Sequence, residues 1–257
     1  MRDEFFGDVA DYSKYGVLRE IGRARLKLTI AWMLTPDRGR PGTHTGYLRR
    51  PHDWRKFDPD LFDWLREVVH ESKRREVQTI ERAGLIPNAG FIRRSFAGDS
   101  AGRARFQMLA REAAGSDVLL LDPDTGIARD GARVSSAVAD GYLYWDEIDQ
   151  LFRTGCSLLI YRHYPRGGAA RIDGCSKMQS HVADARVRVG APYVATLGLS
   201  TTALLLLGQE RHTATLDLVL RRIEWQWRDK MVICKHHRVS PAAINTHRST
   251  GLEPLRS

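Results

Sequence analysis

The chain has 257 residues, 42% of them hydrophobic and 28% charged, and its 40 Lys and Arg against 31 Asp and Glu give a formal charge of +9. That balance is ordinary for a globular protein, and the length suits one large domain better than two cores. The most apolar runs fall far below the roughly 20 residues that span a bilayer, and the first twenty residues carry acids and no apolar leader segment, so we expect no membrane contact and a cytoplasmic site.

Taken in chain order, residues 8–24 are predicted to form a helix, and Leu26 to Leu34 a strand. Thr35 to Arg55 holds too many Pro and Gly residues for a regular element and is predicted to be a long loop. Asp58-Pro59 then reads as a helix cap and first turn, followed by Leu61, Phe62, Leu65, Val68 and Val69 on one helical face. A second helix carries Val77 and Ile80 and stops at Gly84, so residues 58–86 are expected to be a small helical insertion. Phe91 to Phe96 is a predicted strand, Ala101 to Ala114 a helix, and Val118 to Leu121 a buried strand. The alternation continues through a helix from Trp145 to Phe152, a strand from Ser157 to Tyr161 and a helix from Ala169 to Val187. Tyr193 to Leu197 and Thr202 to Leu207 are spaced as an antiparallel hairpin. Leu216, Val219, Leu220, Ile223 and Trp227 mark a last amphipathic helix. The fold class is therefore α/β, a Rossmann-like, mainly parallel sheet with a terminal antiparallel hairpin, in one domain over residues 1–239. Residues 240–257 are expected to be a poorly ordered tail.

Chemistry-bearing residues gather in a few places. Asp122-Pro123-Asp124-Thr125-Gly126 directly follows the buried strand Val118 to Leu121, and ligands of open α/β sheets sit beyond the carboxyl ends of strands. Asp122 and Asp124 there can hold a donor amine, act as a base or bind a divalent ion, although Asp-Pro and Asp-Thr-Gly are also ordinary turn formers. On the first helix Asp11, Lys14 and Tyr15 share one face, where the plainer reading is a surface ion pair. His163, in Tyr161-Arg162-His163-Tyr164-Pro165-Arg166, follows another strand and belongs near the same ligand face as Asp122 if the two strands are parallel. His44, in a Gly-rich loop matching no phosphate-binding fingerprint, is a further ligand candidate. Cys234-Lys235-His236-His237 lacks a second ligand pair, so no structural metal site is expected. The three cysteines are widely spaced and are expected to be reduced thiols. The six tryptophans include Trp54, Trp64, Trp225 and Trp227; aromatics can stack on bases, but most of the six are expected at core or boundary positions. The positive charge makes nucleic acid a plausible partner, though the cations are dispersed rather than clustered.

The βαβ units, the terminal hairpin and the acid-Pro element after a central strand resemble the class I S-adenosylmethionine-dependent methyltransferases. Ala10-Asp11-x-x-Lys14-Tyr15-x-Val17-Leu18 is similar to the N-terminal segment of the bacterial family that methylates an adenine of large-subunit ribosomal RNA. The resemblance implies S-adenosylmethionine as cofactor, with Lys14 and Tyr15 contacting it; Asp11, on the same helix face, and His44, in the Gly-rich loop, are further cofactor-contact candidates. It also implies a nucleic-acid substrate, with Asp122 nearest the reacting group and Asp124 and His163 assisting. Two departures stand out. Thr35-Pro36-Asp37-Arg38-Gly39 replaces the family's Gly-rich loop, and Asp124-Thr125 replaces the Pro-Tyr of its Asp-Pro-Pro-Tyr, so Tyr161 or Tyr164 would have to supply the ring that stacks on a base. Two alternatives follow from the residues themselves. One is a metal-dependent nuclease holding Mg²⁺ or Mn²⁺ on Asp122, Asp124, Glu147 and His163. The other is a non-catalytic nucleic-acid-binding accessory protein.

Overall fold

Short runs that are apolar on both sides are the pattern of strands covered on both faces. Leu28–Ala31 (β1) and Val118–Leu121 (β3) form such strands, the partly exposed Ala89–Ile92 (β2) lies at the edge beside β1, and Ser157–His163 (β6) joins them in parallel. The computed structural model describes residues 1–37, 39, 44–72, 75–92, 102–128, 141–163, 178–199 and 202–237. Tyr193–Leu199 (β7) and Thr202–Gly208 (β8) form the expected antiparallel hairpin, and Met231–His237 (β9) pairs with the outer side of β7. The main sheet has seven strands in the order β2-β1-β3-β6-β8-β7-β9. Within it β8 runs antiparallel to both β6 and β7. A separate two-stranded ladder joins Gly126–Ile127 (β4) to Tyr142–Leu143 (β5).

Because side chains alternate across a strand, the sheet divides its residues between two cores. Leu28, Ile30, Val118, Leu120, Leu159 and Tyr161 face one side. That side is covered by Val9–Arg23 (α1), Pro51–Trp54 (α2), Pro59–Arg66 (α3), Gln78–Arg82 (α4) and Thr213–Trp227 (α8). Ala31, Leu119, Leu121, Leu158 and Ile160 face the other, under Gly102–Glu112 (α5), Trp145–Arg153 (α6) and Gln179–Asp184 (α7). The result is a mixed α/β protein with a mainly parallel central sheet between two helical layers. Among the described residues, no helix is long and apolar enough to cross a membrane.

Several local expectations need correction. The stretch read as loop from Thr35 to Arg55 contains a 3₁₀ turn at Gly46–Arg49 and the one-turn helix α2, which Pro51 starts at a position where its missing N–H costs nothing. Asp58 does cap α3, accepting the Leu61 N–H at 3.3 Å. Helices α3 and α4 build no core of their own, since Phe57, Leu61, Phe62, Leu65 and Ile80 pack into the cluster that holds Tyr12, Leu18 and Trp227. The strand β9 was not anticipated. Its polar Cys-Lys-His-His ending hides the period, and Cys234 on it is disulfide-bonded rather than reduced, while Cys156 is a buried free thiol. Trp32, Trp145 and Trp227 are buried, and Trp225, at 75% exposed, departs from the core or boundary position expected for most tryptophans. The predicted tail, 240–257, and the segments 93–96 and 169–177 lie outside the described residues.

Candidate functional site

The strand register builds the site. Ala31, Leu121 and Ile160 stand abreast on β1, β3 and β6. The next residue of each turns to the opposite face, so Trp32, Asp122 and Tyr161 form a row at the carboxyl edge, on the side that α1 covers. Lys14, on the inner face of α1 and completely buried, sets its ammonium on that row. Its Nζ donates to Asp122 Oδ2 at 2.6 Å and lies 2.8 Å from Asp11 Oδ1. It also lies 4.7 Å from the Tyr161 ring centre, 5.5 Å from Trp32 and 5.6 Å from Tyr15. Aromatic faces stabilise a desolvated cation through their negative quadrupole.

Around this cluster the polar atoms are nearly all matched. Asp11 Oδ2 accepts the Gly7 N–H at 3.0 Å and the Tyr15 hydroxyl at 3.3 Å. The Met1 amine donates to the Asp122 carbonyl at 3.1 Å, and Arg2 pairs with Asp124 at 2.5 Å. Two buried atoms of these groups have no hydrogen-bond partner, Arg2 Nε at the rim and Asp122 Oδ1 at the centre. Asp122 is 1% exposed, and its Oδ1 is buried with no hydrogen-bond partner. Burial opposes the charged form of Lys14, but Asp11 and then Asp122 outweigh it and hold the ammonium above the usual lysine range. Burial pushes the Asp11 carboxyl up, with Lys14 opposing. The Tyr15 and Tyr161 hydroxyls are likewise pushed up by burial, so both remain neutral phenols.

Asp122, Lys14, Asp11 and Tyr15 are thus brought together, but as an enclosed cluster rather than the walls of an open cleft. Because the Tyr161 ring packs on the ammonium and is 7% exposed, it is not presented for stacking on a base. Tyr164 lies outside the described residues. His163 continues the row's face two residues beyond Tyr161, with ring centres 5.3 Å apart, and stands at the exposed end of β6. Crowding by surrounding protein, short of full enclosure, pulls its pKa down, with Asp122 and Asp124 opposing. His44 is exposed and meets the amino-terminal end of α1, where its carbonyl accepts the Val9 N–H at 3.1 Å. Glu147 caps α6 by accepting the Tyr144 N–H at 3.0 Å. The metal set of Asp122, Asp124, Glu147 and His163 does not assemble. Among the described residues, no three His, Cys, Asp or Glu side chains converge as ligands.

No protein-family model matches the chain. No curated protein is similar to it. Among solved structures it is similar to a Legionella pneumophila str. Philadelphia 1 protein described under the family model DUF519, at 9% identity and a TM-score of 0.38, over 92% of this chain and 98% of that one. At that score the likeness carries no argument.

Sequence reasoning missed Trp32 and Arg2. Trp32 was readable in principle, because extending the alternation one residue past β1 puts it beside Asp122; Arg2 gives no local signal. A Ser-His-Asp chain also went unread. Ser157 Oγ lies 2.9 Å from His212 Nδ1, and His212 Nε2 lies 3.3 Å from Asp117 Oδ1, at the amino edge of the sheet. Ser157 is fully buried and accepts the Gln209 N–H at 2.9 Å, so the chain ties the ends of β3, β6 and β8 together and offers no accessible nucleophile.

Asp8, just before α1, gives the region a pH signature. Burial and then the Asp11 charge raise its carboxyl from 3.8 to about 6, against an Arg75 ion pair at 2.9 Å. Between those two values the folded state binds more protons than the unfolded chain, so stability falls as pH rises through that window. Asp8→Asn cannot titrate and is expected to lose this slope. Relative to the parent, its melting temperature should improve between pH 4 and pH 7, values chosen to bracket the window. Parallel curves for the two proteins would contradict the assignment.

Proposed function

We propose that the protein is a methyltransferase-like α/β protein that binds S-adenosylmethionine or a related nucleotide beyond the carboxyl ends of β1 and β3, and acts on or binds nucleic acid. The observation that carries this reading is the strand order. A reversed strand, β8, lies between the parallel strands β6 and β7, next to a run of parallel strands added first to one side of β1 and then to the other. This order resembles that of the Rossmann-like class I methyltransferases, apart from the added edge strand β9, and it supports the reading by analogy of architecture. In such sheets the ligand crevice opens where the strand order reverses, between β1 and β3, which is where Asp122 stands.

Two features of that edge support a ligand. Met33, two residues past β1, holds a left-handed backbone at φ 48°, a strain that non-glycine residues tolerate mostly where function requires it. The buried, unpartnered Oδ1 of Asp122 fits a ligand amino or hydroxyl donor. Lys14, Asp11 and Tyr15 are enclosed and already partnered, so in this reading they hold Asp122 in place rather than touch the cofactor. In this reading the unpartnered Oδ1 of Asp122 and the exposed His163 meet the ligand, while Asp124, paired with Arg2 at 2.5 Å, would have to exchange that partner to do so. S-adenosylmethionine, when bound, supplies an electrophilic methyl group; the chain supplies an acceptor for the amine that receives it.

Isothermal titration with S-adenosylmethionine and S-adenosylhomocysteine, at about 0.1 mM protein, is the direct test, since even micromolar to submillimolar binding registers there. Saturable heat is expected from both. Flat traces with both would remove the reading.

A further inference from the structure

Helix α8 is apolar on two opposite sides. Leu216, Val219, Leu220, Ile223 and Trp227 face the core at three- and four-residue steps. The line farthest from them carries Ala214, Leu218 and Trp225 into solvent, with Leu218 67% and Trp225 75% exposed. Single apolar residues scattered over a surface need no explanation. Here, however, two of the four large hydrophobic side chains exposed among the described residues stand two turns apart on one helix and form one stripe.

A ladder of charge runs beside that stripe. Asp217, Arg221, Glu224 and the capping residue Arg228 recur at steps of four, three and four, so they share one flank and alternate in sign, beginning with the acid. Read from the other end, the signs are reversed. Two copies of α8 laid antiparallel about a two-fold axis between Arg222 and Ile223 therefore meet with opposite charges at every rung: Glu224 of each copy faces Arg221 of the other, and Asp217 faces Arg228. The same arrangement interleaves Leu218 of one copy with Trp225 of the other. Among the described residues Glu224 has no ion-pair partner, whereas Asp217 already holds Arg221 at 2.8 Å and Lys235 at 3.0 Å. Arg222, nearest the axis, is turned toward α1, where it lies 3.4 Å from the buried Glu20.

We propose that the outer face of α8 is a homodimer interface, in which two copies of the chain pack this helix antiparallel about a two-fold axis. Exposed ion pairs contribute little each, so the ladder sets partner and orientation while the buried Trp225 and Leu218 supply affinity. A helix of 15 residues gives a seam about 22 Å long, which is small for an interface and fits a Kd of about 10–100 µM. The proposal stands whether or not the strand-end reading holds.

Sedimentation equilibrium of the full chain is expected to show a mass rising from 29.1 kDa toward twice that value between about 1 µM and about 1 mM. Trp225→Ala, at a position too exposed to support the fold, should weaken association at least about tenfold. Glu224→Arg and Arg221→Glu should each weaken it at least about threefold, the scale of exposed pairs made repulsive. An equimolar mixture of those two variants should associate about as well as the parent, because each then meets the opposite charge across the seam. An effect confined to one chain's own helix could not be repaired by mixing. A mass fixed at 29.1 kDa up to about 1 mM would overturn the proposal and leave the stripe to a different protein. Association unchanged in Trp225→Ala, or a mixture no tighter than its two components, would overturn it as well.

Discussion

Replacing Lys14 by methionine is expected to destabilise the fold by about 3–5 kcal/mol, the range for removing one member of a buried ion pair. The reason is the asymmetry of the cluster. One ammonium serves two carboxylates, at 2.6 Å and 2.8 Å, all three groups being nearly inaccessible to water. Methionine retains the packing against Trp32, Tyr15 and Tyr161 but leaves Asp11 and Asp122 facing each other without a cation. Two buried like charges either take up a proton or open the structure to water, and both cost stability. Urea unfolding of the two proteins measures the difference directly. A loss below about 1 kcal/mol, the value typical of an exposed pair, would show that the ammonium is solvated after all. Adding Asp122→Asn to the methionine variant should recover part of the loss, because it leaves a single buried charge.

That cluster also marks how far the sequence could be read. The strands β1, β3, β6, β7 and β8 were legible because each is an apolar run bounded by turn residues. The proximity of Asp122, Lys14 and the residues after Ile160 followed from the rule that parallel strands gather their carboxyl ends at one edge. What the sequence did not disclose was burial. The α1 stretch Asp11 to Tyr15 reads as an amphipathic helix with an ordinary i,i+3 surface pair, yet it is enclosed because α3, α8 and the first residues of the chain pack over it. Long-range packing of that kind leaves no local trace. Trp225 shows the converse, an aromatic whose type suggests the interior but whose place on the outer face of α8 is set by Ile223 and Trp227 facing inward. The strand β9 was missed because edge strands tolerate polar residues, and its Lys235 spends its charge on Asp217 at 3.0 Å.

Asp122→Asn is the variant that separates function from folding. Removing the Lys14 charge strands two carboxylates, but neutralising Asp122 leaves Lys14 with Asp11, a buried pair whose charges cancel. Asparagine has nearly the shape of aspartate, and its amide oxygen can still accept from Lys14 where Oδ2 now does. The fold should therefore lose little, about 1 kcal/mol or less on the scale of a single hydrogen bond. The chemistry should lose much more. If the unpartnered Oδ1 is the acceptor for a substrate amine, the variant gives up the negative charge that stabilises positive charge developing on that nitrogen, an effect of roughly 10²–10⁴ in rate for a positioned acid or base. The measurement pairs a methyl-transfer assay on nucleic acid with an unfolding curve for the same preparation. A large loss of rate with a near-parental curve supports the proposed role. Full activity in Asp122→Asn would mean that Asp122 only anchors Lys14, and that the reacting groups lie elsewhere along the carboxyl edge.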